Sequence, residues 1–253
     1  MKAIIQNVYG NEETLQLLDI EKPVPSEKEV LVEIHAANIA SGDMRINTLD
    51  VPFGLKFLMK LIFGFKGPRN KVRGITAAGE IVQIGSEVTK FKVGTPVYFI
   101  NSMKAGCLAE YLVIKESAVM AKVPNAMKYR EAAPLAFGAM SSYCYINEKS
   151  IKKDDKVLIY GASGSLGTYA IQLAKYYGAV VTAVSSKKNH AVTQMLGADH
   201  VIDYKTNDFT KEKKKYDVIF DAVGKLKKKD AKKVLTTNGK FLSSKMMTSE
   251  KVS

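Results

Sequence analysis

Apolar and polar residues alternate in short segments through the first 123 residues, a pattern typical of β-strands. In one such segment Val30, Val32 and Ile34 alternate with Glu29, Leu31, Glu33 and His35. The predicted strands span residues 2–7, 15–22, 29–37, 77–84, 95–100, 109–114 and 118–123. Glycine and proline separate these strands at intervals of roughly 8–12 residues, which indicates a small barrel-like β domain.

The pattern changes after residue 123. Residues 131–147 read as one helix, and from residue 156 apolar runs alternate with amphipathic segments. The predicted strands here are 157–160, 180–184, 200–202, 218–221 and 239–243, and the helices are 166–177, 191–196 and 227–235. Such alternation predicts an α/β domain with a doubly wound parallel sheet. We therefore divide the chain into domains 1–123 and 124–253.

A glycine turn joins the first strand and helix of this second half. From Ala162 to Gly167 it reads A-x-G-x-x-G, with a strand before it and a helix plus strand after it, as a dinucleotide site requires. Gly164 would let the backbone approach a phosphate, and Gly167 would let the helix pack closely on the strand. The alternative is an ordinary strand-to-helix turn. We predict that a cofactor pyrophosphate is bound by Ser163, Gly164, Ser165, Leu166 and Gly167.

The end of the next strand bears on the choice of coenzyme. NAD enzymes usually place an acid about 20 residues after the glycines, where it accepts the ribose 2′-hydroxyl. Residues 185–189 contain serine, lysine and asparagine but no acid. Hydroxyl and ammonium groups suit a 2′-phosphate, so NADP(H) is favoured over NAD. A solvated polar turn is the alternative.

Residues 51–65 are apolar apart from Lys56 and Lys60, which are four apart and would share one face of a helix. We consider three interpretations: a helix packed on the domain, an apolar lid over a ligand cleft, and a membrane-surface segment. The last ranks lowest, because the basic face carries two charges.

The net charge of +13 raises the question of nucleic-acid binding. However, the only arginines are Arg45, Arg69, Arg73 and Arg130, and no basic motif is interleaved with aromatic residues. A solvated lysine surface explains the charge better, and we expect no nucleic-acid partner.

The cysteine count and the lengths of the apolar runs bear on the cellular compartment in which the protein works. Cys107 and Cys144 form no disulfide framework, which favours a reducing compartment. No run reaches the ~18 apolar residues of a spanning helix, and the first 13 residues have no signal-peptide core. We expect a cytoplasmic protein without a membrane span.

Further segments match a known family in order along nearly the whole chain. They are Ala36-Ala37-Asn38 with Asp43, residues 74–85 (GITAAGEIVQIG), 91–94 (FKVG), 109–111 (AEY), 132–135 (AAPL), 196–204 (LGADHVIDY) and 220–224 (FDAVG), together with the glycine turn. With these segments the chain resembles the medium-chain dehydrogenase/reductase superfamily, and within it the zinc-free, quinone-oxidoreductase-like branch.

The resemblance implies a GroES-like catalytic domain followed by a Rossmann domain, with the active site in the cleft between them. It implies NADP(H)-dependent hydride transfer to a small electron-poor acceptor, a quinone or an α,β-unsaturated carbonyl. Asn38, Asp43 and Ser141 would lie at the substrate or nicotinamide end. By the same resemblance Ser186, Lys188 and Tyr204 would contact the 2′-phosphate, and Val223 and Gly224 would line the nicotinamide ribose. For the quaternary structure we keep a homodimer as an open expectation.

No metal site is expected. Zinc dehydrogenases of the superfamily carry a cysteine where this chain has Ala40, and a His-Glu pair where it has Ile75 and Thr76. Two cysteines and the distant His35, His190 and His200 do not supply a ligand set.

Two other classes of protein compete with this interpretation. Short-chain dehydrogenases use Tyr-x-x-x-Lys, and residues 111–115 and 145–149 match it. Both precede the glycine turn, whereas that family places the pair after it, so we attribute them to chance. The main alternative is a non-catalytic nucleotide-binding or interaction protein that retains the fold.

The number of strands raises a further expectation. Residues 156–253 give five strands, whereas two mononucleotide-binding halves give six. Residues 245–253 look too short and polar to replace the sixth strand and the returning segment that the resemblance implies. We therefore expect a C-terminally short chain that is less stable than a full-length relative and either aggregates or has little activity.

Overall fold

The computed structural model describes residues 1–50, 53–102 and 104–245. The chain forms two compact units, Met1–Phe137 and Gly138–Ser253, each built around a five-stranded sheet. The first two residues of the apolar segment 51–65 and the tail from residue 246 onward lie outside the described residues.

The first unit is rich in strands, as the alternating pattern predicted. Its strands are β1 (Lys2–Gln6), β2 (Leu15–Asp19), β3 (Glu29–Asn38), β4 (Thr76–Ile84), β5 (Pro96–Ile100), β6 (Tyr111–Lys115) and β7 (Met120–Lys122). Its helices are α1 (Ser41–Thr48), α2 (Phe53–Phe63) and α3 (Tyr129–Ala132). β1 and β2 form an antiparallel pair, and the other strands form one antiparallel sheet in the order β6-β3-β4-β5-β7.

Alternation explains how this sheet acquires its core. Successive side chains of a strand point to opposite faces, so every second residue of each strand contributes to one face. Val32 of β3, Ile81 of β4 and Phe99 of β5 are all fully buried in one cluster. This packing fixes the register in which β3 and β4 run, apart from two local shifts, between Leu31 and Val32 and between Ile34 and Ala36.

The second unit alternates helices and strands. Its elements are α4 (Gly138–Tyr145), β8 (Lys156–Tyr160), α5 (Ser165–Tyr176), β9 (Val180–Ser185), α6 (His190–Met195), β10 (His200–Asp203), β11 (Tyr216–Asp221), α7 (Lys228–Lys232) and β12 (Leu235–Ser243). The strand order is β10-β9-β8-β11-β12, and every neighbouring pair is parallel. The predicted doubly wound parallel sheet is therefore confirmed.

β8 lies at the centre of this sheet and is buried on both faces. Val157 and Ile159 pack with Ile171 of α5 in one cluster, whereas Leu158 packs with Ile219 of β11 in another. All these side chains are fully buried, which is why the sequence of β8 is a continuous apolar run rather than an alternation.

The prediction of a single helix over residues 131–147 is wrong. α3 is followed by a 3-10 turn, Ala133–Ala136, before α4 begins at Gly138. Pro134 explains the break, because it has no N–H to donate to an α-helical hydrogen bond. Ala132 and Ala133 are buried against Ala78 of the first unit. Residues 124–137 thus pack with that unit, and the domain division after residue 123 stays a prediction.

Two further differences concern short helices. The predicted helix 227–235 is only the five-residue α7, and β12 begins at Leu235 rather than at residue 239. α1 was not predicted because its sequence, SGDMRINT, has low helix propensity. Within the described ranges, no helix is both long and apolar enough to cross a bilayer.

Candidate functional site

The turn from β8 into α5 is fixed to the neighbouring strand. The N–H groups of Gly161 and Ala162 both donate to the carbonyl oxygen of Val184 on β9, at 3.1 and 3.0 Å. Gly161 has a φ of +77°, which a residue with a side chain rarely adopts. The Gly164 N–H donates back to the Gly161 carbonyl at 3.0 Å and closes the turn. The backbone is therefore held in place before α5 begins.

Gly167 and Gly164 serve different purposes. A Cβ on Gly167 would lie 2.3 Å from the Gly161 oxygen and 2.6 Å from the Ala162 Cα, so α5 can approach β8 this closely only with glycine there. A Cβ on Gly164 would meet nothing closer than 3.4 Å. Gly164 is thus free of internal packing constraints and lies exposed at the surface of the turn.

The first turn of α5 presents N–H groups without acceptors. Gly164 is the residue before the helix and has no capping side chain, and the first intrahelical bond runs from Thr168 N–H to the Gly164 oxygen at 2.9 Å. The N–H groups of Ser165, Leu166 and Gly167 therefore precede the helical hydrogen-bond ladder. They add to the positive end of a 12-residue helix dipole, which is a favourable place for an anion.

The chain after β9 lies beside this turn. The Asn189 side-chain amide donates to Ser163 Oγ at 2.9 Å and to Ser186 Oγ at 3.4 Å, which joins the glycine turn to residues 186–189. Lys188 is exposed in the same short segment. Tyr204 follows β10, and its N–H donates to the Ser185 oxygen at 3.4 Å with its side chain half exposed. The fold therefore gathers Ser186, Lys188 and Tyr204 near the glycine turn.

An acid is present nearby but is engaged elsewhere. Asp203 lies opposite Ser185 in the β9–β10 register. Its Oδ1 accepts the Lys205 N–H at 3.0 Å and stabilises the turn that follows β10. Residues 185–189 themselves carry hydroxyl, ammonium and amide groups only.

Asp221 organises the loop that contains Val223 and Gly224. It is fully buried at the end of β11, and its Oδ1 accepts the N–H groups of Val223 and Gly224 at 3.0 and 2.8 Å. Its Oδ2 accepts the Leu226 N–H at 2.8 Å. A Cβ on Gly161 would lie 2.2 Å from Val223 Cγ2, so this loop lies directly against the glycine turn.

Two of the residues predicted for the substrate end belong to the first unit, and the third belongs to the second unit. Asn38 ends β3, paired with Thr76 of β4, and is half-buried. Asp43 belongs to α1 and is buried. Ser141 is half-buried on α4, where the neighbouring Ser142 donates its hydroxyl to the Leu166 oxygen at 2.7 Å.

Asp43 lies in a buried polar cluster of the first unit. Its Oδ2 accepts the Ala40 N–H at 2.9 Å, whereas its Oδ1 has no hydrogen-bond partner among the described residues. Burial raises the pKa of the Asp43 carboxyl, although the Ala40 amide and the charge of Arg73 act in the opposite direction. Arg73 is also buried, and its Nε donates to Asn47 Oδ1 at 2.8 Å.

The side chains available in the described ranges do not fit a zinc ion. No group of three or more histidine, cysteine, aspartate or glutamate residues there could hold a metal. Cys107 is fully buried, and burial raises the pKa of its thiol, so it stays protonated rather than becoming the thiolate that zinc prefers. Cys144 is exposed on α4, away from any such group. Metal independence remains a prediction.

Three supporting residues were missed by reasoning from the sequence: Ser142, Asn189 and Asp221. Asp221 left a signal, since a charged residue that ends a buried apolar run needs partners. Ser142 and Asn189 left none, because a serine in a helix and an asparagine in a turn are common and their partners are distant in sequence.

Both halves of the chain match family models. Residues 26–156 match the alcohol dehydrogenase GroES-like domain, and residues 165–252 match the zinc-binding dehydrogenase model. A quinone-oxidoreductase homolog from chloroplasts of Spinacia oleracea is 34% identical over 231 residues, which cover 87% of this chain and 67% of the relative. A 2-methylene-furan-3-one reductase of Solanum lycopersicum is 32% identical over 249 residues, which cover 94% of this chain and 61% of the relative.

A solved structure has the same fold. The quinone oxidoreductase of Escherichia coli in complex with NADPH superposes with a TM-score of 0.81 at 25% identity, over 96% of this chain and 72% of that one. The chain spans about two thirds or less of the length of the two curated relatives. The expected cytoplasmic location stays a prediction, since one of these relatives is chloroplastic.

The two glycines of the turn allow a matched test of packing. Gly167→Ala places a Cβ against the backbone of residues 161–162 and should lower the free energy of unfolding by about 1–3 kcal/mol or more. Gly164→Ala has room for the methyl group and should lower it by much less. Urea unfolding of the two variants and the parent measures the difference. Equal losses would contradict the close approach described above.

The buried Asp43 should give the protein's stability a pH dependence of defined sign. Its folded pKa is raised above the ordinary 3.8, so the folded state holds the proton more tightly than the unfolded chain. As pH rises above about 3.8, the stability difference between the parent and Asp43→Asn should therefore shift against the parent. Urea unfolding across this range measures it.

Asp230→Asn is the control of opposite sign. A hydrogen bond from Lys233 lowers the pKa of the Asp230 carboxyl, so there the parent should gain relative to the variant as pH rises toward 3.8, with little further change above it. If the stability difference between parent and variant changed with pH in the same direction for Asp43→Asn and Asp230→Asn, Asp43 would not be held in a desolvated site.

Proposed function

The chain belongs to the quinone-oxidoreductase-like branch of the medium-chain dehydrogenase/reductase family, and from this premise we propose an NADP(H)-dependent oxidoreductase. It passes a hydride from the nicotinamide to a quinone or an α,β-unsaturated carbonyl without a metal. The chain matches only part of its relatives' length.

The observation that carries the proposal is the start of α5. The N–H groups of Ser165, Leu166 and Gly167 have no helical acceptors, and Gly164 directly before them has no side chain. A pyrophosphate supplies the negative oxygens that such groups require. Val223 and Gly224, held by Asp221, form the next wall of the same site. The bound coenzyme supplies the hydride chemistry, and these residues hold and orient it.

The choice of NADP(H) rests on the segment after β9. Ser186, Lys188 and Tyr204 offer two hydroxyls and an ammonium group at the edge of the site, and segment 185–189 carries no acid to accept a ribose hydroxyl. Asn189 fixes this segment to the glycine turn through Ser163. Charge-assisted hydrogen bonds to a 2′-phosphate are stronger than neutral ones. The geometry therefore supports the phosphorylated coenzyme.

The acceptor class is supported by the relatives' names. One relative is named for quinone oxidoreduction, and another for reduction of a 2-methylene-furan-3-one, whose name places a methylene group beside a ketone. Asn38, Asp43 and Ser141 are retained as the proposed substrate-end residues. Asp43 acts there by positioning, because its carboxylate is buried and receives the Ala40 N–H.

The coenzyme assignment predicts a measurable preference. NADPH should bind about 5- to 150-fold more tightly than NADH, the equivalent of roughly 1–3 kcal/mol for a charge-assisted hydrogen bond. Lys188→Ala should narrow that ratio, and Ser186→Asp should narrow it further by repelling the 2′-phosphate. Ser186 is chosen because its neighbour Ser185 is buried. Calorimetric titration with each coenzyme at fixed ionic strength gives both dissociation constants.

Lys187→Ala is the matched control, since Lys187 is equally exposed and adjacent to Lys188. It should leave the NADPH-to-NADH ratio nearly unchanged. If Lys187→Ala and Lys188→Ala had the same effect, a general positive field would explain the preference. Equal affinities for both coenzymes in the parent would refute the assignment.

The proposed reaction predicts which acceptors consume NADPH. Quinones and enones should support oxidation of NADPH, whereas saturated aldehydes should not, and chelators should have no effect. Gly164→Asp should abolish turnover and NADPH binding, because there is room for its Cβ and its carboxylate would repel the phosphates. NADPH absorbance with each acceptor and elemental analysis for zinc measure these outcomes. Binding without turnover on any acceptor would favour a non-catalytic nucleotide-binding protein, and one zinc per chain lost together with activity would establish a metal enzyme.

A further inference from the structure

α2 turns its apolar side chains outward. Five of its large apolar residues are exposed, and Phe65 just beyond it is 52% exposed. Their exposed fractions are 37% for Leu55, 69% for Phe57, 49% for Leu58, 49% for Leu61 and 39% for Ile62. Soluble proteins rarely expose so many large apolar side chains contiguously without a binding role.

The exposed residues occupy one side of the helix. At about 100° per residue they fall within an arc of roughly 160°. Met59, Lys60 and Phe63 fall outside that arc and are partly buried. α2 therefore contacts its own unit mainly through the side that carries Lys60 and presents its apolar side to the surroundings, the reverse of an ordinary surface helix.

The helix is anchored in this orientation. The Tyr9 hydroxyl donates to the Gly64 carbonyl at 3.0 Å, and the Arg69 N–H donates to the Phe63 carbonyl at 2.7 Å. Phe57 and Phe65 stack edge to face with ring centroids 5.9 Å apart. The apolar face is thus formed in advance and includes the segment that follows the helix.

All the charged residues of α2 and of the segment that follows it are positive. Residues 53–71 contain Lys56, Lys60, Lys66, Arg69 and Lys71 and no acid. None of these five cations forms an ion pair within the part of the chain that the structure describes. Lys56 and Lys60 lie on the other side of the helix from the apolar arc, whereas Lys66 is exposed and directly follows Phe65. An apolar face with a cation beside it is complementary to a lipid surface with anionic headgroups, since acyl chains accept the apolar side chains while the lysine stem extends to the phosphates.

We propose that α2 and Phe65 dock the protein on an anionic lipid surface. At 11 residues α2 is about 16 Å long, too short to span a bilayer, so it lies in the plane of the interface. A second copy of the chain is a poorer occupant, because a symmetric contact through this face would bring the same cations together without acids to neutralise them.

The test measures sedimentation of the full chain with vesicles. The parent should bind vesicles of phosphatidylcholine mixed with phosphatidylserine and bind phosphatidylcholine alone weakly, and salt should reduce the difference. Phe57→Ser with Leu61→Ser should abolish binding. Lys66→Gln should weaken it about five-fold, the effect of one cation near a charged surface.

Val192→Ser with Met195→Ser on α6 is the matched control, because both residues are exposed and apolar but lie outside the proposed face. It should leave binding unchanged, and circular dichroism should show that every variant is folded. If the double serine variant of α2 is unfolded, Lys66→Gln still decides the outcome.

Three results would overturn the proposal. They are no binding of the parent to either vesicle, binding that neither Phe57→Ser with Leu61→Ser nor Lys66→Gln changes, and a parent dimer in light scattering that Phe57→Ser with Leu61→Ser dissociates. The last would identify a second copy as the occupant.

Discussion

The close approach of α5 to β8 is the constraint on which the rest of the second unit depends. It requires a residue without a side chain at Gly167, since a Cβ there would overlap the backbone of residues 161–162. Because the helix starts so close to the end of β8, its first N–H groups emerge at the carboxyl edge of the central strand. In a doubly wound sheet this is where the strand order reverses, from β9 on one side of β8 to β11 on the other. The same constraint therefore packs the core and positions the N–H groups of the proposed anion site.

Two buried carboxylates illustrate how the protein uses charge in its interior. Asp221 accepts three backbone N–H groups, so its desolvation is compensated, and it fixes the loop of Val223 and Gly224. Asp43 has one hydrogen-bonded oxygen and one without a partner among the described residues, and burial raises the pKa of its carboxyl. Asp221 is a structural anchor of the loop that belongs to the proposed cofactor site. Asp43 is buried at a higher desolvation cost than Asp221, and such a cost is common among residues near a functional site.

The sequence predicts the architecture well where the physical cause is local. The buried run of β8 and the glycine spacing predict a parallel sheet with a nucleotide turn, because burial on both faces and close helix packing each leave a distinct pattern. It fails where tertiary contacts decide. Pro134 breaks the predicted helix 131–147, and Asn189 joins Ser163 across 26 residues, a contact that no local pattern reveals. The outward orientation of α2 is also invisible, since the sequence shows an apolar helix but not which side faces solvent.

The two proposals depend on different units but share one physical consequence. Quinones and enones with apolar substituents partition into lipid, so an enzyme that uses them encounters more acceptor at a membrane surface than in water. The nucleotide is polyanionic and stays in the aqueous phase, where the net charge of +13 attracts it. Docking through the apolar residues of α2 engages the first unit and leaves the coenzyme residues, all in the second unit, outside the docking face. An exposed apolar helix on a lysine-rich protein, which would otherwise risk aggregation, is then explained by the location of an apolar acceptor.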